Sequence, residues 1–161
     1  MQKKSRAQEQ HLTWAEVDLK ALKYNLGQVV RLSKKNTFDF PLRLRSKNII
    51  PSIETIMPVV KADAYGHGIL EVASLFDREN IGFFGVSDIH EGSTLRDSGI
   101  TKPILLFEST LEVQARQIID YKLMPSVCTL KLAEALNREA QRKKEIIDVH
   151  VKVDTGMGRL G

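Results

Sequence analysis

From Ile56 to Val153 short apolar runs alternate with amphipathic stretches, and this rhythm restricts what the 161-residue chain can fold into. The apolar runs are Ile56–Lys61, Phe83–Ser87, Pro103–Phe107, Leu123–Val127 and Ile146–Val153. Between them, Ile69–Phe76, Ile89–Asp97, Leu111–Asp120 and Leu130 to about Arg142 carry apolar residues at helical spacing, and Ser98-Gly99 closes the second of these. The pattern predicts five strands separated by four helices. Strands that are apolar on both faces belong in a parallel α/β sheet covered by its own crossover helices. A (β/α)8 barrel of the TIM type and an open doubly wound sheet both satisfy the rhythm. No Gly-x-Gly-x-x-Gly follows the first run, so the dinucleotide fingerprint is lacking.

The last run is the most informative. Ile147, Val149, Val151 and Val153 share one face, and Asp148, His150, Lys152 and Asp154 share the other. A barrel strand packs its outer face on helices, so the valines face outward. The polar set then faces the barrel interior, where functional groups gather at the C-terminal ends of strands. By the same parity Met57, Val59, Lys61 and Asp63 share a face. Lys61 and Lys152 are therefore both expected at one rim.

Upstream, Thr13 to Leu19 alternates loosely and predicts a short strand. Ala21, Leu22, Leu26, Val29, Val30 and Leu32 then predict a helix to about residue 34. Residues 1–12 read as a disordered polar tail, and residues 34–55, punctuated by Pro41 and Pro51, as an insertion before a barrel domain that occupies the rest of 13–161. Composition is that of an ordinary globular protein, 42% hydrophobic and 27% charged. The net charge of +4 comes from three separate basic groups, around Lys3, Arg43 and Arg142, with no interleaved aromatics. That argues against a nucleic-acid surface. The basic N-terminus is followed by no apolar stretch and no later run could span a bilayer, which points to a cytoplasmic protein without a membrane partner. Cys128 is the single cysteine, so no internal disulfide is possible.

Chemistry concentrates in Val59-Val60-Lys61-Ala62-Asp63-Ala64-Tyr65-Gly66-His67-Gly68. A lysine at the mouth of a buried strand can shed its proton when desolvated and attack an aldehyde as a free amine. Enzymes that use pyridoxal 5′-phosphate hold their cofactor in this way, as a Schiff base. A second motif, Asp154-Thr155-Gly156-Met157-Gly158-Arg159-Leu160-Gly161, ends the chain. Gly156 and Gly158 permit a tight turn, and Arg159 offers a fork of donors suited to a carboxylate or phenolate oxygen.

Taken together, the two motifs resemble those of alanine racemases, fold-type III pyridoxal phosphate enzymes. The stretches Thr13–Leu19, Phe84–Ser87 and Pro103–Leu106 resemble further family blocks. The resemblance implies an amino-acid racemase acting on L- and D-alanine to supply peptidoglycan. It implies Lys61 as the attachment lysine and catalytic base on one face, Tyr65 at the cofactor phosphate, and Arg159 at the phenolic oxygen and the substrate carboxylate. Lys152 matches a position that is carbamylated in many members, where the carbamate would pair with Arg159; an ordinary solvated lysine is the plain alternative. Asp63 and His67 are assigned positioning roles, His150 that of a satisfied inward-facing histidine, and His11 and His90 none. No metal is implied. The second base, a tyrosine, comes from a C-terminal β-domain contributed by the partner subunit of a homodimer. A whole barrel needs about 250 residues and eight strands, so the five units here are expected to be its N-terminal part, inactive alone. A related barrel decarboxylase, a non-catalytic pyridoxal phosphate-binding barrel and a broad-specificity amino-acid racemase are the alternatives. The first lacks the Asp-Thr-Gly-Met-Gly-Arg-Leu-Gly motif and the second lacks Ala-Tyr-Gly-His-Gly.

Overall fold

In the computed structural model, residues 13–35 and 53–161 are described. The expected tail 1–12 lies outside them, as do residues 36–52 of the expected insertion. The order of elements is α1 (Leu19–Lys35), a 3-10 turn (Ile53–Thr55), a helical turn at Lys61–Gly66, α2 (Ile69–Arg78), β1 (Phe84–Val86), α3 (Ile89–Asp97), β2 (Ile104–Ser109), a 3-10 turn (Glu112–Gln114), α4 (Ala115–Asp120), β3 (Met124–Val127), α5 (Leu130–Lys143) and β4 (His150–Val151).

All strand pairs are parallel and run in the order β1-β2-β3-β4. The lysine-bearing segment joins on the other side of β1 through a parallel bridge, Val59 to Gly85, with Val60 N–H donating to the Gly85 carbonyl at 2.8 Å and Gly85 N–H to that of Pro58 at 2.9 Å. Spatial order thus equals sequence order over five successive units. A doubly wound sheet reverses order at a switch point; this one never does. With right-handed crossovers, steady progress in one direction puts every helix on the same face. The fold is therefore the first part of a (β/α)8-type barrel. Its outer core is made by Phe84, Val86, Ile104 and Leu106 from the strands against Val72, Leu95, Ile118 and Leu132 from the helices, all buried. Among the described residues no helix is long and apolar enough to cross a membrane.

Four helices end on one device. After α2, α3, α4 and α5 comes a residue with left-handed backbone: Asn80 (φ +59°), Gly99 (+95°), Lys122 (+50°) and Lys144 (+56°). The next amide bonds back to a carbonyl in the last helical turn, Ile81 to Phe76, Ile100 to Leu95, Leu123 to Ile118 and Glu145 to Ala140, at 2.9–3.5 Å. These are Schellman closures, and in the first three the paired residues are apolar, so the reversal seals the core as it turns the chain. Helix starts are capped by side chains: Asp88 accepts from Glu91 N–H, Thr129 from Leu132 N–H, and Asp18 from Lys20 and Ala21 N–H.

Several expected strands are shorter than their apolar patterns. Thr13–Leu19 is not a strand. Residues 13–18 are irregular and exposed and pair with no strand among the described residues, and Asp18 is used to cap α1. Ile56–Lys61 contributes only the Val59 bridge, because Pro58 has no N–H to give a ladder. Ile146–Val153 pairs only at His150–Val151, with β3 on one side. Leu111–Asp120 divides into a 3-10 turn and α4.

Arg96, at the end of α3, holds the floor of the sheet together. Its Nε donates to the Tyr121 carbonyl, Nη1 to those of Ile100 and Lys102, and Nη2 to that of Lys122, at 2.7–2.9 Å. Four of five guanidinium N–H groups thus bind carbonyls on the two turns that follow α3 and α4. Burial lowers the guanidinium pKa from its usual value, a cost these bonds offset. Lysine has the charge without the planar fork. Arg96→Lys should therefore lower unfolding stability by about 2–3 kcal/mol, read from the midpoint of a urea titration; a loss below about 0.5 kcal/mol would show that the carbonyls do not need the fork.

Candidate functional site

The strand carrying Lys61 ends in a stretch wound the wrong way. Ala62, Asp63, Ala64 and Tyr65 have φ of +51° to +55° and ψ of +38° to +53°, a left-handed helical turn, and Gly66 follows at +81°. Residues with a side chain pay about 1–2 kcal/mol each for this backbone, so the four cost about 4–8 kcal/mol. A turn of that cost persists only where its surroundings over-determine it, and here they do. Ala64 N–H donates to the Val60 carbonyl at 2.9 Å and Gly68 N–H to that of Asp63 at 3.0 Å. The Asp63 carboxylate accepts from Ile69 N–H at 2.7 Å, so it caps α2 from six residues upstream. His67 Nδ1 lies 2.9 Å from the Ala64 carbonyl and 3.2 Å from that of Tyr65; both are acceptors, so this nitrogen carries the proton. Gly68 (φ +88°) then opens α2.

At the start of the turn stands Glu91, from the first turn of α3. Its Oε1 accepts from Ala62 N–H at 2.6 Å and its Oε2 from Ser87 N–H at 2.8 Å. One carboxylate thereby joins the C-terminal ends of two neighbouring strands. The Asp88-x-x-Glu91 spacing is that of a capping box and could have drawn attention to it, but in such a box the glutamate returns to its own N-cap. No local pattern foretells a bond to residue 62.

Lys61 itself is half-buried. Its Nζ lies 6.0 Å from the centroid of the Tyr65 ring, which is exposed, and it makes no hydrogen bond or ion pair among the described residues. Lys152 is half-buried at the end of β4, and its Nζ donates to the Phe107 carbonyl. The ring of Phe107 covers Gly85, where a Cβ would come within 2.7 Å of it, and that same Cβ would lie 3.5 Å from Val59. A continuous line of contacts on the inner face therefore runs Val59, Gly85, Phe107, Lys152. In the sequence Phe107 reads only as a strand residue, and Gly85 only as part of the Phe84–Ser87 block, with no role of its own. Lys61 and Tyr65 share one turn, whereas Arg159 is exposed and its side chain bonds nothing among the described residues. His150 is exposed rather than satisfied by neighbours, because β4 has one strand beside it among the described residues and pairs over two residues only; by strand parity it shares a face with Lys152. No group of three or more His, Cys, Asp or Glu able to hold a metal occurs among the described residues.

The loop beyond β4 is organised by Asp154. Gly156 N–H donates to its carboxylate at 2.8 Å and is the chief cause that holds its pKa below the usual carboxylate range, with smaller help from the backbone amides of Gly158, Met157 and Arg159.

Comparison with known proteins gives consistent results. The family model for the alanine racemase N-terminal domain matches residues 43–161. The alanine racemase of Desulfosudis oleivorans is 40% identical over 148 residues, 92% of this chain and 34% of the relative. Alanine racemase 1 of Caldanaerobacter subterraneus subsp. tengcongensis is 36% identical over 149 residues. In three dimensions the alanine racemase of Clostridium difficile 630 superposes with a TM-score of 0.78 at 36% identity, over 92% of this chain and 35% of that one. The chain spans about a third of the length of the curated relatives it matches.

A carboxylate with a lowered pKa stabilises its folded surroundings at pH above its ordinary value and loses that contribution as pH falls through the lowered one. The 154–159 loop should thus hold its form at neutral pH and loosen only in acid below the range of a free aspartate. The amide resonances of Gly156 and Gly158 followed from pH 7 to 2 should move together at that lowered midpoint; movement at an ordinary aspartate midpoint would mean that the amides do not hold Asp154.

Proposed function

Because the chain belongs to the alanine racemase family through its N-terminal domain, we propose that it provides the cofactor-bearing half of a pyridoxal 5′-phosphate-dependent racemase that interconverts L- and D-alanine. The observation that carries this reading is the state of Lys61. A strained, heavily tied turn holds it at the end of an inner strand, yet its amine has no hydrogen-bond or ionic partner among the described residues. Such an amine is free to condense with an aldehyde. The surrounding set fits an anionic cofactor, with Lys152 on the same face and Arg159 on the loop beyond it. Tyr65 would hold the phosphate and Arg159 the phenolic oxygen and the substrate carboxylate. Carbamylation of Lys152 would replace one of the converging cations by an anion able to pair with Arg159.

Pyridoxal phosphate, when bound, supplies a sink for the electrons released as the Cα–H bond breaks. The protein must take the proton on one face of Cα and return one on the other. Lys61 serves the face from which the D-isomer loses its proton. In the family reading the opposing base is a tyrosine of a C-terminal β-domain that comes from the partner subunit of a homodimer. Cytoplasmic D-alanine supply for peptidoglycan is the role this activity would serve.

Treatment with pyridoxal phosphate followed by borohydride should place a pyridoxyl group on the peptide containing Lys61, and Lys61→Ala should abolish that label. In the assembled enzyme the same substitution should lower racemisation by about 10²–10⁴-fold. Label spread evenly over the exposed lysines, or undiminished in Lys61→Ala, would refute the attachment.

A further inference from the structure

We propose that Glu91 is a positioning residue for the Lys61 amine, acting through the backbone of the turn; this rests on the cofactor attachment proposed above. The left-handed stretch begins one residue after Lys61, so the direction in which its side chain leaves the strand is set by the peptide between residues 61 and 62. On the Lys61 side that peptide is continuous with the strand, which Val60 N–H ties to Gly85 at 2.8 Å. On the other side its N–H belongs to Ala62, and the partner of that N–H is Glu91 Oε1 at 2.6 Å.

Glu91 cannot easily drift from this place. Its own N–H is held by Asp88 Oδ1 at 2.9 Å, and its second oxygen accepts from Ser87 N–H at 2.8 Å. The carboxylate therefore spans two amides on adjacent strand ends with both of its oxygens accepting. Bonds of amides to an ionised carboxylate are the stronger kind. Without them the first left-handed residue would keep its backbone cost and lose its hydrogen bond, and the turn would relax toward ordinary dihedrals. That would swing Lys61 away from the inner face where Phe107 and Lys152 lie.

Glutamine is the discriminating replacement. Glu91→Gln retains size and helix start, but one of its two accepting oxygens becomes an NH2 donor facing a backbone N–H. Thr129→Ala serves as the control, since it removes the cap of α5 and destabilises the fold without touching the Lys61 turn. Hydrogen exchange without cofactor should show the segment 60–68 opening about tenfold faster in Glu91→Gln and unchanged in Thr129→Ala. After pyridoxal phosphate and borohydride, the share of label on Lys61 relative to exposed Lys131 should fall by about tenfold in Glu91→Gln alone. An unchanged share overturns the proposal, and faster exchange with an unchanged share would make Glu91 a structural tie without positioning effect. A wild-type chain that shows no preference for Lys61 over Lys131 would instead overturn the attachment itself, and the purpose of Glu91 with it.

Discussion

A parallel sheet can grow only if each helix stops at the right residue and returns its chain beneath the strand it came from. Here the Schellman closure does this four times, and each closure delivers the chain to the next run of strand residues. The residue at the left-handed position changes from Asn80 to Gly99 to Lys122 to Lys144, so the geometry does not depend on glycine. It depends on the bond back to the last helical turn and, in the first three cases, on an apolar pair such as Ile100 with Leu95. Arg96 fastens two of these turns to one another through carbonyls alone. The floor of the sheet is thereby made of satisfied, regular contacts.

The opposite end of the strands obeys a different rule. There the backbone departs from regularity in two places, and both adjoin a lysine. After Val60 the chain enters the left-handed turn that carries Lys61. In β2 the pairing passes from Leu105 opposite Met124 to Ser109 opposite Ser126, so four steps along β2 match two along β3. Such a bulge withdraws carbonyls from the ladder. The Leu106 carbonyl is recovered by the Ser126 hydroxyl at 2.6 Å, and that of Phe107 by the Lys152 amine. Strain and irregularity gather at the strand ends where Lys61 and Lys152 lie, and the regular floor supplies the stability that permits them.

This division also explains what was legible in the sequence. The helices were, because amphipathic spacing depends on a face rather than on partners: α3 spans Ile89–Asp97 as its pattern indicated. Parallel order was legible from apolar runs such as Ile104–Leu106, but the absence of a switch point was not, since spatial order is a tertiary fact. Strand lengths were overread at Ile56–Lys61 and Ile146–Val153, because apolar alternation reports which faces could be buried and not whether a neighbour is present to pair. At the site, Lys61, Tyr65 and Lys152 stood out as residue types in a motif. Glu91, Gly85 and Phe107 did not, because the contacts that tie the turn and the inner face together, Glu91 to Ala62, Gly85 to Phe107 and Phe107 to Lys152, join residues 22 or more positions apart. The handedness of the turn was illegible for a further reason. Alanine, aspartate and tyrosine all prefer right-handed backbone, so local propensity points away from the observed structure, and the bonds that tie the turn, among them the long-range one from Ala62 to Glu91, reverse it.

The two departures are not independent. Gly85 lies between them, bridged to Val59 on one side and covered by the ring of Phe107 on the other. Any larger residue at 85 would lift that ring, and Phe107 is also the residue whose carbonyl receives Lys152. A displacement of the ring therefore moves the Lys152 anchor on one side while opening the contact with the lysine strand on the other. Glycine is needed at 85 for close approach rather than for backbone freedom, in contrast to Gly66 and Gly68 of the turn, whose φ of +81° and +88° few other residues adopt. Through this one missing side chain, the placement of Lys61 and that of Lys152 become a single geometric condition on the inner face of the sheet.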